Sequence, residues 1–135
     1  MPAGYSGTPL AKKLGLKPGQ RASALGAPAH YRELLAPEPE AIAWLGAQAL
    51  RLDVVHLFVD READLARRLP GQMERIQPAG MIWVSWPKKA SKVPTDVTED
   101  VVRKHALALG LVDVKVCAVD AVWSGLKLVI RRENR

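Results

Sequence analysis

The chain has 135 residues, 48% hydrophobic and 25% charged, which is enough to bury the core of one compact domain. A single cysteine, Cys117, excludes an internal disulfide, and no apolar run approaches the ~18 residues that span a bilayer, so no membrane association is expected. The first residues lack the pattern of a secretion signal, which predicts a cytoplasmic protein.

The net charge of +6 is unevenly distributed along this basic chain. Residues 1–32 hold five basic residues and no acid, residues 33–64 hold seven acids and two basic residues, and residues 65–92 hold six basic residues and one acid. Net charge indicates partners rather than fold. Two interpretations stay open: a solvated surface with a chance imbalance, or a face that binds anions.

A short helix and a buried strand are the first predicted elements. In SGTPLAKKLGLKPG, Thr8 is the predicted N-cap, Pro9 the first helical residue, and Gly15 the residue just past the end. The segment RASALGAP is typical of a short buried strand that ends at Gly26 and Pro28. HYRELLA then reads as a helix.

Strands and helices alternate through the middle of the chain. EAIAWLGAQAL is ambiguous, and its flanking prolines and glycine favour a strand at 42–45. DVVHLFV is typical of a strand covered on both faces, with His56 in the core, and Asp60 is the predicted cap of the next helix. Pro70 and Gly71 are expected to kink or split that helix, and MIWVSW predicts another buried strand.

The last third of the chain predicts a helix and two strands. Thr98 is the predicted cap of EDVVRKHALALG, which ends at Gly110. LVDVKVCAV and SGLKLVIRR alternate with period two and are joined by a short turn, which predicts an antiparallel pair. The whole pattern predicts an α/β fold: a single three-layer Rossmann-like domain over 1–135, mostly parallel, with an antiparallel C-terminal strand pair. Residues 1–19 would form a capping helix and turn, and residues 20–135 the sheet and its helices.

This order of elements resembles a reduced class I methyltransferase fold. In that family, a glycine-rich loop opened by an acid follows the first strand, and a second acid at the end of the next strand holds the ribose hydroxyls. Here the corresponding segments are GAPAHY, with Gly26 and no acid, and LGAQAL. The resemblance implies the architecture, whereas S-adenosylmethionine is not an expected cofactor and no other cofactor is assigned.

A closer resemblance extends over nearly the whole chain. YSGTPLAKKLG, WVSWPKK, and GLVDVKVCAVD followed by WSGLK are similar to a bacterial family of small proteins of unknown function. This resemblance implies no catalytic residue and no ligand.

A ligand site is predicted at the carboxyl edge of the sheet, where open α/β sheets bind ligands. Four segments are expected to converge at this edge: the loop after the first strand, Asp60 after the third, the lysine loop after MIWVSW, and the amino-terminal helix. The lysine loop, the amino-terminal helix and Gly26 are expected to line one concave face. The predicted ligand-binding residues are Lys12, Lys13, Gly26, His30, Trp86, Lys88, Lys89 and Lys92. For the lysines, an ordinary solvated loop is the alternative interpretation.

No catalytic residue or metal site is assigned from the sequence. His30, His56 and His105 each lack a second histidine or a cysteine at metal-ligand spacing. Ser85 and Ser124 lack the GxSxG context of a nucleophile elbow.

The leading hypothesis is therefore a small non-catalytic binding module for an anionic ligand, such as a nucleotide or phosphometabolite, or for an acidic protein. A diverged methyltransferase-like enzyme is the alternative. A third hypothesis is weak, non-specific nucleic-acid binding, because Tyr5 and Trp86 are the only rings expected to be exposed for stacking on bases.

Overall fold

The computed structural model describes residues 7–135, so the predicted exposure of Tyr5 lies outside the described residues. The six strands are β1 (Arg21–Leu25), β2 (Ala43–Trp44), β3 (Leu52–Phe58), β4 (Ile76–Pro87), β5 (Leu111–Ala118) and β6 (Trp123–Ile130). They form one sheet in the order β2-β1-β3-β4-β6-β5. The first four strands run parallel, and β6 is antiparallel to both β4 and β5. The predicted mostly parallel sheet with an antiparallel C-terminal pair is confirmed.

In the described part of the chain, four α-helices cover the two faces of this sheet. They are α1 (Leu10–Lys13), α2 (Tyr31–Leu35), α3 (Glu62–Arg75) and α4 (Glu99–Ala108). The helices α1 and α2 pack in one apolar cluster, and α3 and α4 pack in another on the opposite face. No helix within residues 7–135 is long and apolar enough to cross a membrane.

The helix starts agree only in part with the predicted caps. Thr98 caps α4, because its Oγ1 accepts a hydrogen bond from the backbone N–H of Val101 at 3.2 Å. The N-cap of α1 is Pro9 rather than Thr8, and that of α3 is Arg61 rather than Asp60. Both helices therefore begin one residue later than predicted. Neither Pro9 nor Arg61 makes a side-chain cap hydrogen bond.

The third helix is not split at Pro70, which was one of the two outcomes expected there, the other being a kink. It continues to Arg75, and β4 begins at the next residue. Leu65 and Leu69 are fully buried on the same face, so packing against the sheet holds the segments on both sides of the proline in one helix.

The two tryptophans of β4 point to opposite faces of the sheet. Because side chains alternate along a strand, residues three apart cannot share a face. Trp83 lies in the cluster with α1 and α2, and Trp86 in the cluster with α3 and α4. The prediction that Trp86 stands on a loop is wrong, because β4 continues to Pro87 and Trp86 is 6% exposed.

Trp83 attaches the short helix α1 to the sheet. Its Nε1 donates a hydrogen bond to the backbone carbonyl of Leu14 at 2.9 Å, and both residues are buried. A four-residue helix has little stability of its own. This bond and the packing around it therefore decide where α1 lies.

Replacing Trp83 by Phe should destabilise the protein more than replacing Trp86 by Phe. Both changes remove the same part of a buried indole, but only Trp83→Phe leaves a buried carbonyl without its donor. The extra loss in the free energy of unfolding should be about 1–2 kcal/mol, measured by urea denaturation. Equal losses in the two variants would show that the hydrogen bond does not hold α1.

Candidate functional site

The sheet reverses its winding between β1 and β3. From β1 the chain moves outward to β2 and then returns to form β3 on the other side of β1. Ligands of open α/β sheets bind at such a point, beyond the carboxyl ends of the strands. A cavity of about 190 Å³ lies there, lined by Gly26, Phe58, Val59, Asp60, Asp64, Arg68 and Trp123. We call it the switch-point cavity.

Gly26 narrows this cavity by lying directly against the end of β3. Its φ of +70° is a left-handed conformation that favours glycine. A Cβ on Gly26 would lie 2.8 Å from the backbone carbonyl oxygen of Phe58, closer than Cβ atoms in proteins approach a carbonyl oxygen. The loop after β1 therefore begins in contact with the end of β3, directly after the paired residues Leu25 and Leu57.

Two opposite charges line the cavity. Asp60 follows β3, and Arg68 projects from α3. The third charged residue, Asp64, forms an ion pair with Arg67 at 2.6 Å. Within residues 7–135, neither the Asp60 carboxylate nor the Arg68 guanidinium has an ion-pair partner. Both groups are available to a ligand.

Phe58 and Trp123 form an aromatic wall of the cavity. The ring of Phe58 meets Trp123 edge to face, with centroids 5.0 Å apart, and stacks on His56 at 4.2 Å. Trp123 is partly exposed and begins β6. One indole thus borders the cavity, although it is not the one that the sequence suggested.

A buried hydrogen-bond chain lies behind this wall. The Tyr31 hydroxyl is 2.8 Å from His56 Nδ1, and His56 Nε2 is 2.7 Å from Ser85 Oγ. Burial lowers the pKa of His56 to about 3 and raises the pKa of Tyr31. His56 is therefore neutral at pH 7, and the chain joins α2, β3 and β4.

The order tyrosine, histidine, serine resembles a nucleophile with its base, but the site has no access for a substrate. Ser85 is fully buried, and Tyr31 and His56 are 4% and 1% exposed. None of the three lines the switch-point cavity. The hydrogen-bond chain from Tyr31 to Ser85 stabilises the core. The predicted core position of His56 is confirmed.

The structure does not bring the predicted site residues onto one concave face. Lys12 lines a different cavity, of about 530 Å³, together with Pro9 and Glu38. Lys13 donates from Nζ to the carbonyl of Ala118 at the end of β5. The prediction that α1 and Trp86 line one concave face is wrong, because Trp86 packs on the face of the sheet opposite α1.

The remaining predicted residues lie at the carboxyl edge but are spread along it. Gly26 borders the switch-point cavity, and His30 Nε2 is 3.2 Å from Asp120 Oδ2 in the turn between β5 and β6. The Lys88 backbone N–H bonds to Val122, and the side chains of Lys89 and Lys92 lie on an exposed 3₁₀ turn. Whether these residues bind a ligand stays a prediction.

Two residues of the cavity, Arg68 and Trp123, are not expected from the sequence. Asp60 is expected at this edge, where it follows the third strand, but it is not among the predicted ligand-binding residues. The position of Asp60 immediately after a buried strand was the available signal. Within residues 7–135, no three His, Cys, Asp or Glu side chains lie close enough together to hold a metal ion.

A family model matches residues 48–132, more than half of the chain. The chain belongs to that family, described as "Protein of unknown function (DUF3052)". This confirms the resemblance to a family of unknown function. No curated protein matches the sequence.

Solved structures with a similar fold include several methyltransferases. The ribosomal protein L11 methylase of Lactobacillus delbrueckii subsp. bulgaricus has a TM-score of 0.60 at 10% identity, over 91% of this chain and 76% of that one. A SAM-dependent methyltransferase of Aquifex aeolicus has a TM-score of 0.60 at 12% identity, over 88% and 87%. A TehB-like SAM-dependent methyltransferase of Corynebacterium glutamicum has a TM-score of 0.57 at 10% identity, over 96% and 91%. At these identities the similarity shows the fold alone, and it confirms the predicted methyltransferase-like architecture.

The residues of the switch-point cavity do not fit S-adenosylmethionine. The cavity of about 190 Å³ lies below the range of roughly 300–1,000 Å³ that is usual for drug-sized ligands. Gly26, at the start of the loop after β1, lies against the carbonyl of Phe58 and leaves no space for a side chain there. Beyond β2, the segment 45–52 has no carboxylate.

The neutral, buried His56 should make stability pH-dependent. Its folded pKa of about 3 lies below its ordinary value of 6.5, so between these values the unfolded chain takes up a proton that the folded one refuses. Stability should therefore fall as pH decreases from about 6.5 towards 3, by about 1.4 kcal/mol per pH unit. Urea denaturation at pH 7 and pH 5 should show a loss about 2 kcal/mol larger for the wild type than for His56→Gln. Identical pH dependence in the two proteins would refute the neutral assignment.

Proposed function

We propose that the protein is a non-catalytic binding module built on a methyltransferase-like fold, and that the switch-point cavity is its ligand site. The observation that carries this proposal is the unpaired Arg68 guanidinium facing a cavity that also holds the Asp60 carboxylate. A guanidinium binds carboxylates through two parallel hydrogen bonds. The first requirement on the ligand is therefore an anionic group, as the sequence suggested.

The second requirement is a donor group for Asp60. An anion alone would meet repulsion from this carboxylate, whereas an ammonium group on the same ligand would pair with it. A molecule that carries both groups satisfies both side chains. The ligand class that fits best is a small zwitterion of amino-acid size.

The volume of the cavity supports a small ligand over a nucleotide. At about 190 Å³ it is smaller than the sites of drug-sized molecules, which need roughly 300 Å³ or more. The partly exposed face of Trp123 offers an apolar surface for a side chain. The nucleotide considered from the sequence is therefore not the ligand proposed for this cavity.

A diverged methyltransferase is the second candidate, and the fold of the solved structures favours it. It requires room for the cofactor between β1 and β3. The contact of Gly26 with Phe58 argues against that room. The binding module needs no rearrangement of this contact and is preferred for that reason.

A panel of free amino acids tests the proposal by thermal shift, with calorimetry for any that raise the melting temperature. At least one amino acid should bind, and removal of either its carboxylate or its amino group should abolish binding. Arg68→Gln should weaken affinity about tenfold or more, because the bidentate contact is lost. Arg61→Gln is the matched control: it removes the same charge at the same edge from a side chain that does not line the cavity.

Two results would contradict the proposal. One is a panel in which no amino acid changes the melting temperature. The other is a bound amino acid whose affinity is reduced equally by Arg68→Gln and Arg61→Gln, since general charge would then explain the binding.

A further inference from the structure

The terminal strand pair places two lysines directly opposite each other. Lys115 on β5 pairs with Lys127 on β6 in the antiparallel register. Like charges at such positions repel and destabilise a sheet. Neither ammonium group belongs to any ion pair within residues 7–135. The repulsion is therefore not neutralised inside the described part of the chain.

A third lysine approaches the same place from the segment after α1. Lys17 and Lys115 both act on Lys127, and the pKa of Lys127 is lowered by its partial burial and by the charges of these two lysines. Lys13, also on this face, lies close enough for its charge and that of Lys115 to act on Cys117. Positive charge is thus concentrated on the α1 face of the β5–β6 pair.

Two of these lysines, Lys17 and Lys127, border a cleft at the amino edge of the sheet, on the side away from the switch-point cavity. The cleft has a volume of about 340 Å³, and its other lining residues are Gly15, Gln20, Asp53, Gln77, residues 79–81 and Val129. Its volume falls within the roughly 300–1,000 Å³ of small-molecule sites. We call it the lysine cleft.

The single carboxylate of the lysine cleft is already engaged. Asp53 Oδ2 accepts a hydrogen bond from the backbone N–H of Arg21 at 2.8 Å, and its Oδ1 lies 3.4 Å from Gln77 Nε2. It forms no ion pair with a lysine. The positive charge of the cleft therefore remains in excess.

We propose that the lysine cleft binds the phosphate group of a small molecule through Lys17 and Lys127, and that Lys115, opposite Lys127 on the strand pair, adds positive charge beside the cleft. A group with two or more negative charges matches these ammonium groups better than a carboxylate does, and lysines bind phosphate as point charges. A bound phosphate also reduces the repulsion between Lys115 and Lys127. Part of the binding free energy therefore comes from relief of this repulsion. The cleft is separate from the switch-point cavity and does not depend on the ligand proposed there.

Pyrophosphate is the probe for this site, titrated calorimetrically at constant ionic strength. Lys127→Gln and Lys115→Gln should each lower its affinity about tenfold or more. Lys89→Gln removes the same charge from an exposed turn at the opposite edge and should change the affinity less than about twofold. Equal losses in all three variants would overturn the proposal, because they would indicate general attraction to a basic protein.

The unliganded variants provide an independent readout. Because each substitution removes a like-charge pair, Lys115→Gln and Lys127→Gln should raise the melting temperature without pyrophosphate by about 1–4 °C. The same variants should lose the stabilisation that pyrophosphate confers on the wild type. A lower melting temperature in both variants would overturn the role of repulsion, and with it the proposal.

A single-stranded oligonucleotide is the final comparison. If it binds while pyrophosphate does not, the partner is a nucleic acid and the small-molecule proposal is overturned. If pyrophosphate competes with the oligonucleotide in the wild type and not in Lys127→Gln, the proposal is supported. Arg68→Gln should bind pyrophosphate like the wild type, so this test can fail without affecting the zwitterion site.

Discussion

The ring and carbonyl of Phe58 make the contacts on which the carboxyl edge of the sheet depends. Its ring stacks on His56 and meets Tyr31 and Trp123 edge to face, while its carbonyl lies against Gly26. One residue at the end of β3 therefore joins α2, the loop after β1 and the start of β6. These contacts define a small cavity at the carboxyl edge of the sheet. Solved structures with a similar fold include methyltransferases.

The buried chain from Tyr31 through His56 to Ser85 keeps this arrangement specific. Apolar side chains can pack in several alternative ways. Three buried polar groups without water are stabilised only in the arrangement in which they form hydrogen bonds with one another. Gly125 makes room for the chain, since a Cβ there would lie 3.1 Å from Ser85 Oγ. The polar atoms in the core thus fix the relative positions of β3, β4 and α2, and these elements in turn position Phe58.

Much of the fold could be predicted from local sequence signals. The Thr98 cap and the uninterrupted apolar run DVVHLFV predicted α4 and β3 well, because both patterns depend on neighbouring residues. The length of β4 could not be predicted, since Ile76 to Gly80 become a strand through pairing and packing with distant segments. The spacing of Trp83 and Trp86 does contain the information that they face opposite sides, because side chains alternate along a strand.

The candidate sites were less predictable than the fold, because each combines residues that are distant in sequence. Asp60 and Arg68 meet Trp123 only after the sheet has formed. The opposition of Lys115 and Lys127 depends on a bulge between Asp113 and Lys115, which changes the register of β5 against β6. The number of basic residues favours the lysine loop at 88–92, where the side chains lie on an exposed turn. It gives no signal for the lysines of the terminal strands, which come together only through strand pairing.

The central claim is that the crevice between β1 and β3 has no room for the methyl-donor cofactor. Isothermal titration calorimetry of the wild-type protein with S-adenosylmethionine tests it most directly. The closed contact of Gly26 with Phe58 predicts no saturable heat of binding at cofactor concentrations up to about 1 mM. Saturable one-to-one binding with a dissociation constant in the micromolar range would contradict the account, because it would require the carboxyl edge to be open in solution.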